Sequence, residues 1–319
     1  MLELTVIIPT YNRADILKDC LIALSEQTLE TNCFEVIVGD DGSSDHTQKV
    51  LRWAESNMPY KLKWFTQKNA GPNRVRNKSI EMSESPVVVF FNDDTIATPS
   101  LLTQHLRAHK NYPQINIAFL GKVTIDPVLP YSPFALLHLD SSFGQWDRLV
   151  NSDGFALLDW RAFYTCNLSV KRNFLLENGL FDEDIRYSDD VELGARLDSR
   201  GLKILYCPDA LGYHRHFLTE SDYLRIAEKE GIGLAVWYMK RSRDCHYLKE
   251  LRFPLCISAM NRLRFLIGDL TFHRSIRWFW LRLARKMVGT TRKNVGLRIY
   301  EKLYQAIKRE AIFNQIRKN

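Results

Sequence analysis

Four short apolar runs recur along the first hundred residues: LTVIIP (4–9), FEVIVGD (34–40), KLKWFT (61–66) and PVVVFFN (86–92). Between them the apolar residues take helical spacing, as at Ile16, Leu17, Cys20, Leu21 and Leu24. Strands this apolar are buried on both faces, and strands joined through helices run parallel. The fold class is therefore α/β, a mostly parallel sheet with helices on both faces. In such a sheet ligands bind beyond the carboxyl ends of the strands. Three polar clusters stand at those ends: Thr10-Tyr11-Asn12, Asp40-Asp41-Gly42-Ser43 and Asn92-Asp93-Asp94. The alternation predicts that they converge on one edge.

The pattern predicts helices over 45–56, from Pro72, from Pro99 to Asn111, over 171–178 and over 189–199. It predicts strands at 116–123 and 202–207, and irregular chain over the proline-rich stretch 126–162. Charge divides the molecule. Residues 240–319 hold 20 Lys and Arg against 5 Asp and Glu, a net of +15, and residues 1–239 hold 24 against 32, a net of −8. Two domains are expected, 1–235 and a helical basic region over 236–319. Six cysteines without a C-x-x-C pair are expected to be scattered thiols in a reducing compartment. No leader-like segment precedes the first strand, and no apolar run reaches the ~18 residues of a membrane span, so a cytoplasmic location is expected.

Two adjacent carboxylates at the end of a buried strand repel unless a cation, hydrogen-bond donors or water meets them. A solvated turn would meet that need, and so would a hard divalent ion bridging to phosphates, with Asp94 the stronger ligand because Asn92 offers only a neutral carbonyl. No G-x-G-x-x-G follows the first strand and no G-x-x-x-x-G-K-[ST] is present, so dinucleotide and P-loop phosphate sites are unsupported. A phosphatase that ends a strand in D-x-D-x-[TV] uses the first Asp as its covalent nucleophile, and NDDTI has Asn92 there. Asp189 and Asp190 alone would read as acids at a helix N-terminus, which the helix dipole favours.

Seven segments in order change the weight of these signals: VIIPTYNRADILKDCLIALSEQT, FEVIVGDDGSSDHT, NAGPNRVRN, VVFFNDDT, CNLSVKRNFLLENGLFDED, DDVELGARLDSRGLKILYCPDA and GYHRH. Over roughly residues 3–235 the chain resembles the family 2 glycosyltransferases, which have the GT-A fold. The resemblance implies inverting transfer of a sugar from a nucleotide diphosphate donor, commonly a UDP-sugar, to an acceptor hydroxyl, with Mn²⁺ or Mg²⁺. It implies donor contacts from Pro9, Thr10, Tyr11, Arg13, Asp40, Gly71, Arg76, Asn92, Asp93 and Asn167. It implies metal contacts from Asp94 and His214, and Asp190 as catalytic base with Asp189 beside it. Two positions depart from the family pattern. Asn92 opens the acidic triplet, which leaves fewer anionic ligands, and Asp189 stands for the usual Glu, which keeps the base open between Asp190 and Asp189. The implied partners are a nucleotide sugar and a glycan or lipid-linked acceptor, in bacterial surface polysaccharide or glycolipid synthesis. The contrasting reading is a GT-like protein that binds nucleotide sugars or lipids without turnover.

Trp146, Trp160, Phe163 and Tyr164 are expected to be core for the most part, with some forming an acceptor wall. From about Tyr223 the chain reads as helical. DLTFHRSIRWFWLRLARKMV (269–288) sets Ile276, Phe279, Trp280, Leu283 and Met287 at helical spacing among arginines. That composition suits an anionic membrane surface, a solvated basic face or an oligomer contact, and nothing in residues 1–239 supports nucleic acid as the partner.

Overall fold

The computed structural model describes residues 1–140 and 145–318, with the side chains of 139 and 140 left out. Its strands are β1 (Leu4–Thr10), β2 (Phe34–Asp40), β3 (Lys61–Thr66), β4 (Val87–Phe91), β5 (Thr95–Ala97), β6 (Ile117–Ile125), β7 (Ala156–Leu158), β8 (Asn167–Lys171) and β9 (Lys203–His214). The helices are α1 (Ala14–Ser25), α2 (Thr47–Asn57), α3 (Pro72–Met82), α4 (Leu101–Asn111), α5 (Pro133–Ala135), α6 (Arg172–Asn178), α7 (Asp189–Asp198), α8 (Glu220–Lys240), α9 (Ala259–Thr271), α10 (Arg277–Val288) and α11 (Lys293–Lys318). Irregular chain with short 3₁₀ and π turns fills most of 126–162, as the prolines predict.

All the strands lie in one sheet of order β3-β2-β1-β4-β8-β6-β9-β5, with β7 on β9. The half built from β3, β2, β1 and β4 is parallel throughout. Beyond β4 the sheet is mixed: β8 runs antiparallel to both β4 and β6, β9 parallel to β6, and β5 and β7 antiparallel to β9. The expectation of a mostly parallel sheet thus holds for the N-terminal half. Two apolar layers sandwich it. Leu4, Val6 and Ile8 of β1 pack with α1, α2 and α4, whereas Ile7, Val88 and Phe90 face Ile80 of α3, Phe174 of α6 and Leu193 of α7. Alternate residues of one strand feed opposite cores because side chains alternate across a strand. Each fully buried aliphatic or aromatic side chain contributes about 1.5–3 kcal/mol.

Three elements escaped the sequence pattern. β5 has only three residues, and β7 three. β8 reads NLSVK, and its Asn167 and Ser169 are wholly buried. They are tolerated because His105 Nε2 meets Asn167 Oδ1 at 2.9 Å, while Ser169 Oγ lies 2.7 Å from His105 Nδ1 and 2.9 Å from His109 Nε2. Burial pushes the His105 imidazole down to about 4 and His109 well below its ordinary value, so both rings are neutral. β9 continues past Pro208 because its register against β6 shifts between Gly121 and Val123, leaving the proline in the irregular stretch.

The chain divides into two compact units: residues 1–130 with 139–217, and residues 131–138 with 218–319. The sequence placed this boundary at 235, inside α8, which is one continuous helix with a capping box at Thr219 and Asp222. In the second unit α8 and α11 pack along each other, with Tyr223 and Tyr304 ring centroids 4.8 Å apart. The cysteines require a correction. Cys20, Cys33, Cys166 and Cys207 are thiols, but Cys245 and Cys256 form a disulfide, their Cα atoms brought to 5.2 Å by the turns after α8. Among the described residues no helix is long and apolar enough to cross a membrane.

A Cβ on Gly121 would collide with the Asn167 carboxamide and stand 2.5 Å from the Ala210 carbonyl oxygen. Gly121→Ala is expected to destabilise the protein by about 1–3 kcal/mol, read as a lower urea midpoint with an unchanged slope.

Candidate active site

The carboxyl edge of the parallel half is stitched together by short polar side chains. Thr10 and Asp40 end β1 and β2 as register partners. The next turn holds Asn12 in the left-handed region (φ 53°), which Asn tolerates better than most residues. Asn12 Oδ1 accepts the Ser44 N–H at 2.7 Å, and the Asn12 N–H donates to Ser43 Oγ at 2.8 Å. Asp40 is fully buried, accepting the Ser43 N–H at 2.8 Å and the Thr66 hydroxyl at 3.3 Å. Its neighbour Asp41 accepts Gln67 Nε2 at 2.7 Å and the N–H groups of Ala70 and Gly71, both at 2.9 Å. Asp41 therefore sets the loop that delivers Gly71 (φ 100°) to the start of α3.

Asp93 and Asp94 follow β4 and are both buried. Thr10 Oγ1 donates to Asp93 Oδ2 at 2.8 Å. Arg13 serves both acids, with NH2 2.7 Å from Asp94 Oδ2 and NH1 3.3 Å from Asp93 Oδ1. His214, paired with Thr95 across β9 and β5, brings Nε2 to 3.5 Å from Asp94 Oδ2. The two carboxyls separate in acidity. Burial, with the Asp94 charge adding to it, outweighs Arg13 and raises Asp93 to about 7. Asp94 stays below its ordinary value, because His214 and Arg13 outweigh the upward push of burial. Asp94 Oδ1 is buried and meets no hydrogen-bond partner among the described residues.

A second acidic pair opens α7. Ser188 before it is left-handed (φ 56°), a strained conformation for serine. Arg76 NH1, on α3, donates to Asp189 Oδ2 at 2.9 Å and to Asn73 Oδ1 at 3.0 Å. Asn73 in turn donates to the carbonyls of Asp182 and Ile185, fixing the approach to α7. Burial raises Asp189, with Arg76 opposing. Burial and the Asp189 charge raise Asp190 to about 7, although it accepts backbone N–H groups from Val191 and Thr165. The two acidic pairs meet around residues 165–167. Thr95 Oγ1 donates to the Cys166 carbonyl at 3.3 Å, and the Cys166 thiol, raised to about 12 chiefly by burial, feels the charges of both Asp190 and Asp94.

Thr10, Arg13, Asp40, Asp93, Asp94, Asp190 and His214 thus share one edge. Tyr11 is 47% exposed just beyond Thr10, while Pro9 lies within β1 and Asn92 leaves β4 half-buried. Asn167, expected along the donor sugar, is instead wholly buried, its Nδ2 donating to the carbonyls of Ala210 (2.8 Å) and Lys122 (3.2 Å). Arg76, expected near base or phosphates, gives NH1 to Asp189 and Asn73, while its buried Nε meets no partner among the described residues. Trp160 and Phe163 are core, whereas Trp146 and Tyr164 form a half-buried pair with ring centroids 5.9 Å apart. Sequence reasoning missed Asp41, whose acidic neighbour drew the attention, and the clamp that Arg13 makes on both carboxylates. Among the described residues no three His, Cys, Asp or Glu side chains gather as a metal cluster.

Residues 5–158 match the family model described as glycosyl transferase family 2. Over that stretch, just under half of its length, the chain resembles that family. A similar protein is the uncharacterized glycosyltransferase YfnE of Bacillus subtilis, 28% identical across 67% of this chain and 65% of that one. The validoxylamine A glucosyltransferase of Streptomyces hygroscopicus subsp. jinggangensis is also 28% identical, across 66% of this chain and 54% of that one. The chain therefore spans just under two thirds and about half of these relatives' lengths. The solved mannosyltransferase PcManGT from Pyrobaculum calidifontis, in complex with GDP-Man and Mn²⁺, shares the fold: TM-score 0.65 at 19% identity, covering 97% of this chain and 87% of that one. The GT-A expectation is borne out.

The raised Asp190 makes a prediction about stability. Its folded-state value of about 7 exceeds the ordinary 3.8, so ionising it costs stability that is intact below pH ~4 and lost as pH rises through ~7. Asp190→Asn removes that cost. The variant is expected to be more stable than wild type at pH 8 and nearly equal at pH 4.5, in paired urea melts of the ligand-free protein. An advantage independent of pH would contradict the assignment.

Proposed function

We propose that this protein is an inverting glycosyltransferase that moves a sugar from a nucleotide diphosphate, a UDP-sugar by preference, to an acceptor hydroxyl of a glycan or lipid-linked saccharide. One observation carries the reading: Asp94 and Asp190, 96 positions apart in the sequence, both lie beside residues 165–166 at the carboxyl edge of the sheet, where an α/β fold binds its ligands. Thr95, next to Asp94, donates to the Cys166 carbonyl at 3.3 Å, and Asp190 accepts the Thr165 N–H. The nucleoside would lie along Thr10, Tyr11 and Arg13, with the turn held by Asp40 beneath it. The diphosphate would lie toward Asp93, Asp94 and His214.

Asp190 acts as the base. A sugar hydroxyl is a weak nucleophile, and a carboxylate that takes its proton as the bond forms speeds attack by about 10²–10⁴. A value near 7 suits that task at neutral pH better than an unperturbed Asp does. Asp189, tied to Arg76, orients the pair and leaves Asp190 as the proton acceptor. One base on the face opposite the leaving group gives inversion. Trp146 and Tyr164, joined to the base through the neighbouring Thr165, supply an acceptor wall on which a sugar ring can stack.

The donor set fits a divalent cation such as Mn²⁺ or Mg²⁺ at Asp94 and His214. The unpartnered Asp94 Oδ1 and the imidazole 3.5 Å from Oδ2 are oxygen and nitrogen ligands of the right kind. Bound there, such an ion would stabilise negative charge on the departing nucleoside diphosphate. The protein side chains do the remaining work: Arg13 holds Asp93 and Asp94 in place, and Thr10 fixes the Asp93 rotamer.

A panel of UDP- and GDP-sugars, with and without Mn²⁺, tests the donor by thermal shift and the transfer by product analysis. Asp190→Asn is expected to cut turnover by about 10²-fold or more while donor affinity changes little. Asp94→Ala is expected to weaken donor binding in the presence of metal. Near-normal turnover in Asp190→Asn would overturn the base assignment. For wild type, kcat/KM should fall tenfold per pH unit below about 7, as Asp190 takes up a proton. A flat profile from pH 5.5 to 8.5 would contradict the role.

A further inference from the structure

Helix α9 has no buried residue, although Met260, Leu263, Leu266, Ile267 and Leu270 are 56–68% exposed. At ~100° per residue these five side chains fall within an arc of about 120° on one face. The opposite face is the one held to the second unit. Arg309 of α11 stands 4.6 Å from the Phe265 ring and places NH2 2.6 Å from Asp269 Oδ1. The apolar row therefore points away from the helix it is anchored to. Arg262 and Arg264 border the row on its two sides by the same spacing, and no carboxylate pairs with either among the described residues. Exposed Ile276, Trp278 and Phe279 follow at the start of α10, beside Arg274, which likewise has no acidic partner among the described residues. The sequence pointed to α10 for this role. There Trp280 donates Nε1–H to the Thr271 carbonyl at 2.7 Å and stacks on buried Phe272, so the longer free row lies on α9.

We infer that the α9 face is a docking surface for an anionic lipid bilayer, with Leu263, Leu266, Ile267 and Leu270 entering the acyl boundary and Arg262 and Arg264 reaching the headgroups on either side. Charge selects this occupant over a second copy of the chain. Residues 240–319 carry a net of +15, and of their five acids Asp269 and Glu310 are already paired with Arg309 and Arg277. Two such surfaces brought together would repel, with no acidic ring to meet the arginines. A bilayer rich in anionic headgroups supplies both the apolar interior and the negative charge, at about 1 kcal/mol per basic residue near the surface. Helices with one apolar face and a basic border lie in the plane of the interface in this manner. The inference does not rest on the proposed glycosyl transfer and is tested without turnover.

The full chain is floated with vesicles of phosphatidylcholine alone and with 30–40% phosphatidylglycerol (roughly the range that gives a strong surface potential). The chain should float with the anionic vesicles, weakly or not at all with the neutral ones, and less at ~0.5 M salt. Leu263→Glu/Ile267→Glu, both at exposed positions, should lower the partition by about tenfold or more while the circular dichroism melt stays unchanged. No flotation with anionic vesicles, equal flotation with neutral ones, or equal flotation of the variant would overturn the inference. So would a lipid-free dimer by light scattering that the variant abolishes, which would make the face a contact between copies of this chain.

Discussion

The site exists because one guanidinium stands against two carboxylates. Asp93 and Asp94 leave β4 into a rim where both are nearly sealed from water, and two unit charges so placed repel by several kcal/mol at an effective dielectric of ~20. Arg13 reaches both from the turn after β1, and Thr10 and His214 each serve one. That arrangement needs β1 beside β4 and β9 delivered to β5, which is the strand order observed. Asn12 and Asp41, which bond backbone groups of neighbouring loops, keep the rim in shape. The sheet order and the electrostatics of the rim are one constraint seen at two scales.

The sequence disclosed β1, β2 and β4 almost to the residue, because strands buried on both faces are near-continuous apolar runs. It disclosed β3, an edge strand with no buried residue, through its neighbours. Motif order leads to the expectation that Asp94 and Asp190 share an edge. The sequence hid β8, since Asn167 and Ser169 look like loop residues until His105 and His109 of α4 are placed against them. Polar residues inside a sheet can be read only with their partners, and those lie about 60 positions away in the chain. The same reason explains Asn167. Its residue type suits ligand contact, but a buried amide must satisfy its own donors, and the nearest acceptors are structural. The disulfide escaped because Cys245 and Cys256 follow no motif spacing.

The family model ends within the first unit, and the second unit carries features that the sheet does not explain. Its net charge, its apolar row on α9 and the anchoring of that helix from the opposite side are not consequences of the sheet. An amphipathic helix normally hides its apolar stripe. Here the stripe is turned outward while a cation, Arg309, holds the inner face through Phe265 and Asp269. Burying a charged contact and exposing five aliphatic side chains is unfavourable for a unit in water alone. It becomes favourable when the outer solvent is not water.

The two acidic pairs follow one logic. In each, an arginine neutralises part of the charge, and the uncompensated remainder falls on a single carboxyl. At the strand end Arg13 and His214 keep Asp94 ionised while Asp93 is pushed toward its neutral form. At the start of α7 Arg76 grips Asp189, so burial and repulsion fall on Asp190. One group is thereby held as a permanent anion, suited to a cation, and another as a carboxyl that exchanges a proton near neutral pH, suited to a base. Two adjacent acids with equal surroundings could not be divided this way. The asymmetry comes from which acid the arginine reaches, and that is set by the turns at Asn12 and Ser188, the two left-handed non-glycine residues that precede Arg13 and Asp189. Two turns, rather than a difference of residue type, thus separate the acidities of four aspartates.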